Sequence, residues 1–145
     1  MNETEKHCKY VSSRGIAQNC DVYPSDIISD IYTLNISNYN NIKDNDKVYV
    51  VTTALHTFTK YILPRLEEKN IKIKLVTGAS TVGAPHEISI RHKINYIKRF
   101  FVNSKSIICW FIQNYDVKQY INKVIPIPLG LDYHTLQKKS PINQS

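Results

Sequence analysis

KVYVVTTALHTFTKYILPRLEEKNIKIKLVT (Lys47–Thr77) is the stretch on which the fold turns. Its first seven residues, KVYVVTT, are rich in β-branched side chains and follow a polar turn, so they read as a buried strand. Ala54 to Lys69 then sets Leu55, Phe58, Ile62 and Leu66 on one helical face. Thr53 is the expected N-cap. Pro64 lacks an N–H and is expected to kink or break this helix. Ile71–Thr77, IKIKLVT, alternates apolar and basic residues and reads as a second strand.

The same rhythm continues downstream. Gly78–His86, GASTVGAPH, is a small-residue loop. Glu87–Phe101 carries Ile90, Ile94, Ile97 and Phe101 at helical spacing, with Arg91, Lys93, Lys98 and Arg99 opposite. Ser106–Ile112 reads as a third buried strand and Val124–Pro128, VIPIP, as a fourth, whose prolines suit an edge. Val117–Asn122 is expected to make one or two helical turns. Upstream, Asn35–Asp46 is an Asn- and Asp-rich loop, and Asp26–Leu34 reads as a short helix. Residues 1–46 are expected to pack on the core, 47–136 to form the domain, and 137–145 to fray. The expected fold is α/β: a Rossmann-like layered arrangement with a mostly parallel sheet of about four to five strands flanked by helices.

The chain has 145 residues, a length that suits one domain. The longest apolar run is Ile107–Ile112, far short of the roughly 20 residues a bilayer span needs. MNETEKHCKY at the start has no apolar signal core, so a cytoplasmic, reducing setting is expected. Cys8, Cys20 and Cys109 are widely spaced and form no CxxC, which supports neither a disulfide framework nor a zinc site. Cys109 and Trp110, inside IICWFI, are expected in the core. The net charge is +7, and the window Lys69–Cys109 holds eight basic residues against one acid, Glu87. Such a stretch is either a solvated helix face or a surface for phosphates or nucleic acid. Ile, Lys and Asn supply 48 residues, a bias that weakens any argument from composition alone.

Ligands in open α/β sheets bind beyond the carboxyl ends of the strands. That rule selects Thr53 and His56 after the first strand, and Gly78, Ser80 and Thr81 after the second. It selects Gln113, Asn114 and Asp116 after the third, and Gly130, Asp132 and His134 after the fourth. Ordinary turns and caps would use the same residue types. Gly78 and Gly83 have phosphate-loop spacing, but Ala84-Pro85 stands where Lys and Ser/Thr are required. TGAS (Thr77–Ser80) lacks the later glycines of a dinucleotide turn, and no cofactor is expected. There is no G-x-S-x-G, and the five histidines have no H-E-x-x-H spacing, so no metal is expected. His56 is the best-placed general base, since imidazole titrates near neutrality; a capping or surface role is the alternative. Asp132 and His134 lie close enough in sequence for an acid to orient a base, or for both to cap a loop.

CWFIQNYD (Cys109–Asp116) and KVIPIPLGLDYHTL (Lys123–Leu136), preceded by VYVVTTALHTFTKYILPRL and IKIKLVTGAS, resemble the N-terminal Rossmann-like half of GT-B-type, exostosin-like glycosyltransferases. Exostosin-like enzymes and related proteins predicted in large DNA viruses and protists share this resemblance. The resemblance covers residues 45–136. It implies a domain that binds a sugar or nucleotide-sugar, with His56, Asp132 and His134 as candidate catalytic groups. It also implies a second Rossmann domain or partner chain to complete a donor site. Two other readings remain open: a nucleic-acid-binding module using Arg91, Lys93, Lys98 and Arg99, and a structural or self-associating interaction protein.

Overall fold

Four short runs of β-branched and aromatic residues cannot satisfy their backbone groups alone, and they pair with one another. The computed structural model describes residues 16–17, 19–23 and 36–127. In it β1 (Lys47–Val51), β2 (Ile73–Gly78), β3 (Ile107–Gln113) and β4 (Val124–Ile127) form one sheet in the order β1-β2-β3-β4, every pair parallel. The α/β, Rossmann-like arrangement expected from the sequence is the one observed. Among the described residues the strands follow chain order without reversal.

That order has a consequence for the layers. Right-handed crossovers that all step the same way place their connections on one face of the sheet. The first connection consists of a 3₁₀ turn (Thr52–Ala54), α1 (Leu55–Thr57), a π-helical stretch (Phe58–Ile62) and α2 (Leu63–Glu68). The second holds α3 (His86–His92) and α4 (Tyr96–Phe101). The two connections touch: Arg99 Nη1 lies 2.7 Å from Glu67 Oε2, and the His56 and His92 rings are 4.3 Å apart. Trp110 faces this helical layer, with Phe100 5.1 Å and Tyr96 6.3 Å away between ring centres. Its indole N–H donates to Thr77 Oγ1 at 2.9 Å, so a fully buried tryptophan keeps its polar atom satisfied.

Pro64 acts as expected. It cannot donate to the carbonyl four residues back, and the chain widens into the π-helical stretch just before it. Other expectations need correction. Val51, not Thr53, occupies the N-cap position, because β1 passes straight into the 3₁₀ turn and Thr53 lies inside it. Glu87–Phe101 is not one helix. Lys93 adopts a left-handed conformation (φ 58°) that ends α3, and the Asn95 side chain accepts the Lys98 N–H to start α4. The break resets the helical phase. Ile88, Tyr96 and Phe100 are buried, whereas Ile90, expected on the apolar stripe, is 63% exposed. Val117–Asn122 is an irregular connection rather than helix. Cys109 is half-buried, because it points away from the face that Trp110 fills.

At the outer side of β1, the Val22 N–H donates to Lys47 O and the Tyr49 N–H donates to Val22 O. Further along, the Tyr39 hydroxyl donates to Tyr49 O at 2.7 Å. These contacts cap backbone groups that an edge strand would otherwise expose. Ile16, Ala17, Cys20, Tyr39 and Ile42 are buried in the same core. The helix expected over Asp26–Leu34 and the tail 137–145 fall outside the described residues. Among the described residues no helix is long and apolar enough to cross a membrane.

Candidate functional site

The carboxyl ends of β1, β2 and β3 lie side by side, and short side chains bind them together. The Thr52 hydroxyl, fully buried at the end of β1, donates to Gly78 O at 3.2 Å. Gly78 has no space for a side chain: a Cβ there would run into Gln113 Oε1 and approach Tyr49 Oη to 3.1 Å. Ala79 follows in a left-handed conformation (φ 60°), which costs a non-glycine residue about 1–2 kcal/mol. Its N–H points at Gln113 Oε1, 3.4 Å away. Gln113, selected from the sequence as a ligand group, is thus buried and in contact with the backbone of the β2 loop.

The loop after β2 and the segment after β3 are stitched to each other. Ala84 and Tyr115 form a parallel bridge, with the Ala84 N–H on Asn114 O and the Asp116 N–H on Ala84 O. The Asn114 side-chain amide donates to Thr81 O at 2.5 Å. Asp116 accepts the His86 N–H at 3.0 Å and the Glu87 N–H at 2.7 Å, so its carboxylate caps the first turn of α3. Gly83 packs directly on it: a Cβ would come within 2.6 Å of Asp116 Oδ2. The Ser80 hydroxyl accepts the Val82 N–H at 3.0 Å. Glu87 accepts the Gly83 N–H and pairs with Arg91; the first contact and then the second hold its carboxyl below the usual range.

Gly78, Ser80, Thr81, Gln113, Asn114 and Asp116 therefore share one edge, as the strand-end rule expects. Thr53 sits at the end of β1 within the 3₁₀ turn. Thr81 and Asp116 are exposed there, and Ser80, Asn114 and Thr53 are half-buried. Asp132 and His134 lie outside the described residues. His56 turns toward the helical layer: its ring packs on His92, and its Nε2 lies 3.4 Å from the Thr57 hydroxyl. The four basic candidates divide. Arg91 pairs with Glu87 at 3.0 Å, and Arg99 makes a two-pronged pair with Glu67, leaving Lys93 and Lys98 exposed without either acid.

Two residues were missed from the sequence. His92 Nδ1 lies 2.7 Å from the hydroxyl of the buried Tyr96, and the ring of His92 also meets His56. Burial, then His56 and Arg91, pull the His92 imidazole below its ordinary range, while burial raises the Tyr96 phenol. The spacing of four between His92 and Tyr96 is a helical signal, yet the turn of chain between them is broken at Lys93. The approach of His56 had no sequence signal, because it depends on how two connections pack.

The chain matches no protein-family model, no curated protein and no solved structure.

Proposed function

We propose that this chain is a binding domain for a sugar or nucleotide-sugar, taken at the carboxyl edge of β2 and β3. On this reading it serves as the first half of a GT-B-like transferase, with a second domain or partner chain completing a donor site. The observation that carries the reading is the set of polar groups at one edge. Thr81, whose backbone carbonyl accepts the Asn114 amide, lies on that edge with Asp116, whose carboxylate accepts the first N–H groups of α3. Asp116 spends two acceptor positions on the α3 N–H groups; an ionised carboxylate has about four, so two remain for ligand hydroxyls. The Asn114 carbonyl oxygen can accept while its amide stays on Thr81 O. This chemistry suits a polyol, which offers hydroxyls in fixed directions.

The reading is of binding rather than of transfer by this chain alone. His56, the candidate base, packs its ring on His92 of α3. A backbone amide NMR titration of the whole chain tests the proposal, with nucleotide-sugars, free sugars and a short RNA at two salt concentrations. Saturable shifts at Ser80–Gly83 and Asn114–Asp116 with a sugar-bearing ligand are expected. Shifts confined to Lys93 and Lys98, induced by RNA and lost at high salt, would replace this reading with nucleic-acid binding. A spectrum unmoved by any of the sugars would overturn it.

A further inference from the structure

The His56–His92 contact lies apart from the strand-end groups, and its geometry is open to a second use. The two imidazoles come from different connections, α1 and α3, and their ring centres are 4.3 Å apart with planes inclined at 58°. Two imidazoles on one metal ion, each at about 2.1 Å and about 90–110° apart, would have ring centres about 4.5–5.2 Å apart. The observed 4.3 Å lies just short of that range, and His56 is exposed. His92 already has the support a metal-bound histidine needs. The Tyr96 hydroxyl holds its Nδ1 at 2.7 Å, which leaves Nε2 as the nitrogen free to ligate. Tyr96 is itself anchored, fully buried against Phe100 and Trp110.

From this geometry we infer a bidentate site for a divalent transition cation, zinc(II) or nickel(II), formed by His56 and His92 with Tyr96 orienting His92. Among the described residues no cluster of three or more His, Cys, Asp or Glu side chains gathers. On this proposal water takes the remaining positions, so the bound ion stays open to exchange. Neutral imidazole donors without a carboxylate favour borderline transition metals over calcium or magnesium. The cation would also act as a clamp, since its two ligands belong to the two connections that cover one face of the sheet.

The test is calorimetric titration of the reduced full-length chain with zinc(II), nickel(II) and magnesium(II), beside His56→Ala, His92→Ala, Tyr96→Phe and His86→Ala. Removing an outer partner of a metal ligand alone costs about 10–100-fold in affinity, so loss of either ligand should raise Kd by at least about tenfold. One zinc or nickel ion per chain, weakened that far by His56→Ala and by His92→Ala but not by His86→Ala, is the expected result. His56 is exposed, so its variant tests the site even if His92→Ala fails to fold. Histidine ring-nitrogen NMR should show one nitrogen of His56 and one of His92 moving together, and Tyr96→Phe should weaken binding by less than either ligand variant. No binding by the wild-type chain overturns the proposal. So does binding unchanged in His56→Ala, which would place the ion elsewhere on the chain.

Discussion

Two rows of residues cross the sheet one position apart, and they are treated differently. Val48, Leu75, Trp110 and Val124 form the row that faces the helices, and every one is at most 3% exposed. Tyr49, Val76, Phe111 and Ile125 form the next row, on the opposite face. There burial decays across the sheet: 0% exposure at Tyr49, 3% at Val76, half-buried at Phe111 and 41% at Ile125. Both rows are apolar, so hydrophobicity does not separate them. Topology does, because crossovers stepping in one direction deliver helices to one face only. The opposite face relies on other packing, which is complete beside β1 and thins toward β4.

Adjacent substitutions should expose the contrast most sharply. Trp110→Ala removes an indole packed on Tyr96 and Phe100 and leaves Thr77 without its donor, for an expected loss of about 3–5 kcal/mol. Phe111→Ala, one residue on and half-buried, should cost about 1–2 kcal/mol. Urea unfolding of both variants measures the difference. Equal losses would mean that the opposite face at β3 is as closely covered as the helical one.

Gly78→Ala probes the same opposite face at the strand ends, where it is crowded rather than thin. The new methyl would press on Gln113 and Tyr49, and the expected cost is about 1–3 kcal/mol. Hydrogen exchange at the Ala79 amide should quicken as Gln113 is displaced. Wild-type stability in this variant would show that Gln113 can swing away, leaving space at the edge that a ligand could use.

The candidate site allows a smaller test. Asp116→Ala removes the acceptor for two N–H groups at the start of α3, worth about 1 kcal/mol for a helix cap. Asp116→Asn keeps an oxygen for one of them and should lose less. If Asp116 also receives ligand hydroxyls, Asp116→Asn should weaken sugar binding by more than its stability loss accounts for.

The sheet was legible because its signals are local. KVYVVTT and IKIKLVT carry β-branched runs between polar turns, and Pro64 has one mechanical meaning in any helix. The single helix expected over Glu87–Phe101 failed for a reason of the same kind, read wrongly. Ile90, Ile94 and Ile97 keep helical spacing across the break, so periodicity alone cannot see that Lys93 turns left-handed and Asn95 caps a new helix. At the strand ends, residue type gave the neighbourhood but not the contacts made within it. Gln113 and Asp116 have the side chains a ligand would want, yet the backbone of adjacent loops already uses them. Pairings between distant segments, such as His56 with His92 or Arg99 with Glu67, leave no trace in spacing, because they depend on two connections sharing a face.

Arg99 and Glu67 provide the finest adjustment of the helical face. Both are about three-quarters buried, and the pair is two-pronged, with Arg99 Nη1 and Nη2 on the two carboxylate oxygens. The Arg99 hydrogen bonds outweigh the opposing effect of burial and, with help from Ser104, hold Glu67 below its ordinary value of 4.5. A carboxyl whose folded pKa is depressed contributes stability that is fully present above its unfolded pKa and is lost as pH falls through the folded one. The pair joins α2 to α4, so it stabilises the covered face and should leave the opposite face untouched. The difference in unfolding free energy between wild type and Glu67→Gln should therefore be about 1 kcal/mol or less near neutrality and shrink toward zero as pH drops below 4.5. Urea unfolding across that range measures it. A difference that persisted unchanged into acid would mean that Glu67 acts through shape and packing, and that the charge between the two connections contributes nothing to holding the layer on the sheet.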